Sequence, residues 1–275
     1  GGSIIAKVGP LLTTGLTYLV PIPVLLLLSV GVLVACGLCL HRLDRWAKAQ
    51  SARQGSGQDE PIGGSIWSGV RSALSSPYLL GICLYLFFLT TTATFLYLEQ
   101  MRLVSEQIPS PEGRTRLFAL IDLVVNVLTF LMQVVVTSRV ISRFGLASAL
   151  VVLPVASAIG FGVIGIMPSL VVFVLFTIVR RVGEYALAKP AREVLFTVVS
   201  REEKYKAKNF IDTAVSRGGD AMTGWIVSGV KVLGVTAGQM VWILVPLSLL
   251  WGLVGWRLAQ KEKALRLRGI SDGSV

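Results

Sequence analysis

IPVLLLLSVGVLVACGLCL, residues 22–40, decides the fold, because it holds 19 residues without a single charge. A helix rises about 1.5 Å per residue and a bilayer's hydrocarbon core is about 30 Å thick, so roughly 20 such residues cross it. Similar blocks recur at Ile4–Leu19, Ser76–Leu98, Leu117–Thr137, Leu146–Met167, Leu170–Leu187, Phe210–Leu233 and Gln239–Leu258. Gly9 and Pro10 interrupt the first of them. In all, 53% of the chain is hydrophobic and 15% charged. The apolar residues gather in blocks instead of repeating at the period of a half-buried soluble helix. The expected class is an all-α polytopic membrane protein with eight spans.

A formal charge of +11 raises the question of a nucleic-acid partner, which the positions of the cations answer. Of the 26 lysines and arginines, 18 fall in alternate loops: Arg42 to Arg71, Arg139 and Arg143, Lys189 to Lys208, and Arg257 to Arg268. The opposite loops hold 4: Arg102, Arg114, Arg116 and Lys231. By the positive-inside rule the richer side is cytoplasmic, with both ends inside. The charge is read as topology and contact with lipid headgroups, with no nucleic acid.

Cys36 and Cys39 form a C-x-x-C inside continuous apolar helix, with no carboxylate near and only His41 at the helix end. They and Cys83 read as packing residues, and no metal or other cofactor is expected. Residues 41–75 are the longest polar stretch between spans and include RQGSGQDEP at 53–61, a linker composition. Ile66–Ala73 is amphipathic and reads as a surface segment. The chain opens on Gly1 and reads as a segment of a longer protein.

Six spans after a basic linker resemble the second half of a major facilitator transporter, with the first two spans matching helices five and six. Ser138-Arg-Val-Ile-Ser-Arg-Phe-Gly145 is similar to the basic-glycine motif that this group carries between helices eight and nine. The stretch from Arg180 to Asp220, RRVGEYALAKPAREVLFTVVSREEKYKAKNFIDTAVSRGGD, resembles bacterial relatives of the ADP/ATP translocases. The resemblance implies helices five to twelve of a twelve-helix bundle around a central cavity, in a bacterial inner membrane. It divides the chain into residues 1–40, the last two helices of the N-terminal half; 41–75, a cytoplasmic linker; 76–258, a six-helix C-terminal half; and 259–275, a cytoplasmic tail. The missing N-terminal half is the implied partner, and nucleotide exchange the implied activity.

Charges deep in a span are costly and usually face a cavity or a partner. Asp122, Asn126, Thr129 and Gln133 share one narrow face of the fourth span, suited either to interhelical hydrogen bonds or to a substrate path. Arg180 and Arg181 precede Glu184 by four and three residues. Either can neutralise it, which leaves one guanidinium for an anion or for the headgroup layer. Asn209, Asp212, Thr213, Ser216 and Asp220 lie along the seventh span beside Arg217. Arg217 is expected to pair with Asp220, Asp212 or Glu184, as a fixed ion pair or as a gate. Pro190 is expected to end the sixth span at Lys189, before a basic cytoplasmic loop that contains Lys189 and Arg192.

Transport of a small anionic solute by alternating access is the expected function, with nucleotide as the implied form. Proton-coupled movement of a neutral or cationic solute and a non-transporting structural role stay open. An enzyme is not expected: one histidine and no nucleophile–base set leave no catalytic constellation, and no G-x-x-x-x-G-K-[ST] phosphate loop is present.

Overall fold

The computed structural model describes residues 22–54, 76–134, 138–199, 207–208 and 210–271. The expected first span, the surface segment at 66–73, Asn209 and Arg201 to Lys206 lie outside the described residues. Among those described, the chain is helical, with no strand. Five helices are long and apolar enough to cross a membrane.

The chain divides into two compact units. The first holds residues 1–63 together with 111–123. Its long helix α1, Ile22–Gln54, carries the apolar run, and every described side chain from Leu27 to Trp46 is exposed. α1 runs through residues 41–54, so the first part of the expected linker is helix. His41 to Gln54 holds alanine, leucine, arginine and glutamine, good helix formers, while the glycines begin at Gly55.

The second unit holds residues 64–110 and 124–275. α2 is Pro77–Gln107, entered through extended Ser76 with Pro77 in the first turn, where its missing N–H costs nothing. α3 is Pro111–Met132 and passes from the first unit into the second at Leu123. α4 is Ser138–Ile166, kinked at Gly145, whose φ of 78° is a conformation glycine adopts without a Cβ clash. The basic-glycine motif thus ends in a corner. α5 is Leu170–Gly183, capped by the Ser169 hydroxyl accepting from the Val172 N–H at 3.3 Å. A π segment, Glu184–Ala188, follows, then α6, Lys189–Leu195, and a short 3₁₀ turn, Phe196–Val198. A second π segment, Ile211–Val215, leads into α7, Ser216–Val232, and α8 is Ala237–Ser271.

Pro190 therefore does not end its helix. In the π register the Lys189 N–H donates to the Glu184 carbonyl, five residues back, and the donor due to Tyr185 would be Pro190, which has none. Gln133 supplies it: Nε2 donates to the Tyr185 carbonyl at 3.1 Å. Pro154 in α4 similarly leaves the Leu150 carbonyl without its partner four residues on, and the Tyr85 hydroxyl of α2 donates there at 3.0 Å. Proline in membrane helices is tolerated where neighbours re-satisfy the backbone, as at both of these carbonyls.

Two apolar clusters hold this unit together. In one, Tyr85 and Trp251 sit with ring centroids 5.4 Å apart among Leu79, Ile82, Leu153 and Leu195. In the other, Phe161 stands between Phe95 and Phe176, edge-on to both. Large apolar side chains such as Trp225, Ile243 and Leu249 face outward instead. An apolar exterior of this extent is suited to lipid.

Candidate functional site

Three rods of the second unit wall a cavity of about 460 Å³. α2 contributes Leu86, Leu89, Thr90 and Ala93, spaced as one helix face. The broken rod α5–α6 contributes Glu184, Lys189, Arg192 and Glu193. The π segment and α7 contribute Asp212, Ser216 and Asp220, each four residues from the last, while Lys208 joins from just before. A second cavity of about 430 Å³ continues along the same two faces through Thr94, Tyr97 and Leu98 of α2 and Gly224 of α7. Ala93 and Asp220 belong to both walls. From Leu86 to Leu98, and from Asp212 to Gly224, each face rises about 18 Å, more than half the thickness of a hydrocarbon core.

Ion pairs tie the first cavity together. Arg180 is 3% exposed and contacts Glu184 at 3.2 Å. Its other terminal nitrogen donates to the Leu89 carbonyl at 2.7 Å and reaches the Thr92 hydroxyl at 3.4 Å, which binds α5 to α2. Arg192 meets Asp212 at 3.2 Å, joining α6 to the second π segment, and Lys208 meets Glu193. Lys189 is exposed, its ammonium 6.0 Å from the centre of the Tyr185 ring.

α2 and α7 meet through small and hydroxylated residues. Thr94 donates to Asp220 at 2.8 Å, and the Thr223 hydroxyl donates to the Gly219 carbonyl at 2.7 Å and lies 3.2 Å from the Thr91 hydroxyl. A Cβ on Gly219 would stand 2.3 Å from the Thr90 hydroxyl oxygen, so this approach requires glycine. Just beyond the second cavity, the buried Glu99 of α2 binds Lys231 of α7 at 2.6 Å and Arg102 at 2.8 Å. Next to it Thr177 donates to Gln100 at 3.0 Å, joining α5 to α2.

The structure brings Glu184, Lys189, Arg192 and Asp220 to one wall. Arg180 stands behind that wall as a brace, and Arg181 is half-buried outside it. Arg217 differs from the expectation: it is exposed and, among the described residues, forms no ion pair with Asp220, Asp212 or Glu184. Arg217 is one residue past Ser216, and 100° of helical rotation takes it off the cavity face. Asp212 is claimed by Arg192 instead. Asp122 and Asn126 are half-buried and line neither cavity. Gln133 of the same face serves the π segment, and among the described residues the buried Thr129 hydroxyl has no hydrogen-bond partner.

Sequence reasoning did not find Glu99, Lys208, Glu193 or the threonines of α2. Glu99, Arg102 and Glu106 stand three and four residues apart at the end of an apolar run, a pattern open to discovery. Among the described residues no group of histidines, cysteines and carboxylates is placed to hold a metal. Comparison with family models, with curated proteins and with solved structures finds no match.

Proposed function

We propose that the chain is part of a secondary transporter that moves a small solute by alternating access, in a bundle of the major facilitator kind. The carrying observation is the path of two cavities along α2 and α7, flanked by two π-broken rods. Polar cavities beside interrupted helices are where membrane carriers hold solutes, since backbone irregularity is tolerated there and π segments concentrate at working sites. The volume of about 460 Å³ suits a small molecule.

Flux is the direct test. The purified protein, reconstituted into vesicles, should take up at least one member of a labelled panel of amines, organic anions, ADP and ATP, with or without a proton gradient. Saturable uptake is expected, and Ser216→Trp, which places an indole in the first cavity, should lower it at least about tenfold while the protein still folds. Uptake equal to that of empty vesicles across the panel, or unaffected by Ser216→Trp, would sink the transport reading.

The cation distribution supports an orientation as well. With the linker and the tail on the cytoplasmic side, reporter fusions near Gly55 and after Leu258 are expected to give the same, cytoplasmic, readout. Opposite readouts would mean that the spans between them number one more or one fewer than the six expected.

A further inference from the structure

Resting on the transport reading, we infer that Asp220 is a cation-binding carboxylate at the waist of the path, taking the ammonium group of the solute or a proton that travels with it. The argument is one of charge already spent. Of the charged residues walling the first cavity, Glu184 is held by Arg180, Asp212 by Arg192, and Glu193 by Lys208. What remains is Lys189, which is exposed, and Asp220.

Asp220 stands where the two cavities meet, and the second adds no other charge: its wall is Ala93, Thr94, Tyr97, Leu98 and Gly224. The carboxylate therefore borders both cavities. An ionised carboxylate accepts at about four positions, and among the described residues Asp220 has the Thr94 hydroxyl alone and no ion pair. A carboxylate so placed in a membrane bundle is costly unless a positive charge meets it. Tyr97 belongs to the same wall, and an aromatic ring attracts an ammonium that comes over its face.

The arginines that would favour an anion do not contribute here. Arg180 is consumed behind the wall, and Arg181 and Arg217 are not part of it. The titratable and charged groups around Asp220 are Tyr97 on α2; Glu184, Tyr185, Lys189, Arg192 and Glu193 on the broken rod; and Lys208, Asp212 and Arg217 along its own rod. The difference between wild type and a single-site variant isolates Asp220 from them.

Thermal unfolding of the purified protein, with phenethylamine, glucose or ATP as probes, tests the inference. At pH 7, phenethylamine is expected to raise the melting temperature saturably. Asp220→Asn should weaken its apparent affinity at least about tenfold, or about 1.4 kcal/mol, while Asp220→Glu retains it. If the cation is a proton alone, no amine protects, but a proton gradient drives uptake into vesicles by wild type and not by Asp220→Asn. Should Asp220→Asn not fold, Thr94→Lys replaces it: an ammonium built beside the carboxylate should abolish both responses. The inference is overturned if ATP alone protects, or if wild type and variant respond alike to amine and to a proton gradient. Amine protection without flux in vesicles would remove the transport reading and leave the cation site. Flux indifferent to Asp220→Asn would do the reverse.

Discussion

Arg180→Leu is expected to lower the stability of the purified protein by about 3–5 kcal/mol, the range for breaking a buried ion pair from one side. Arg180 is almost wholly buried and divides its guanidinium between Glu184 and the backbone of α2 at Leu89. Leucine fills much of the space, but leaves the Glu184 carboxylate without its cation beside the cavity. Arg180→Lys should recover only part of the loss, because one ammonium cannot face both directions as the planar fork does. The double variant Arg180→Leu with Glu184→Leu should lie closer to wild type than Arg180→Leu alone. Unfolding in mild detergent measures all three, and a loss below about 1 kcal/mol for Arg180→Leu would show that the brace is not what holds α5 to α2.

Glu99→Gln is expected to cost about 2–3 kcal/mol and to loosen α2 from α7 at the far end of the path. The carboxylate is fully buried and takes two charge-assisted contacts, each worth about 1.5–3 kcal/mol when a charge is involved. The figure is held below their sum because Lys231 and Arg102 are 39% and 42% exposed and turn to solvent once released. A second readout separates loosening from simple destabilisation. Leu98→Cys, in the wall of the second cavity, should be labelled by an impermeant maleimide faster with Glu99→Gln than without it. Equal rates would make Glu99 a structural contact only.

The long apolar rods were legible because membrane crossing is a matter of length and composition, and residues 22–40 or 76–98 carry both in plain view. Pro190 was misread for a physical reason. Proline forbids a donor at its own position, yet the π register and the Gln133 amide, 52 residues distant in sequence, satisfy the carbonyl it abandons. No local rule includes such a partner. At Asp212, Ser216 and Asp220 the shared face was legible, since a spacing of four keeps residues in line. Their partners were not, because Arg192 and Thr94 come from other rods and pairing across rods depends on packing. Arg217 shows the converse, where a single helical step outweighs nearness in sequence.

The π segments at Glu184–Ala188 and Ile211–Val215 carry a consequence for motion. Each stores one residue beyond what an α-helix of the same height holds, and moving that surplus along a rod turns the passed portion by about 100° and slides it about 1.5 Å without breaking the helix. Arg192 follows the first bulge and Asp212 lies within the second, and the two are in contact. The rods are therefore geared: a bulge that migrates on one carries its end of the contact with it, and the other must turn or let go.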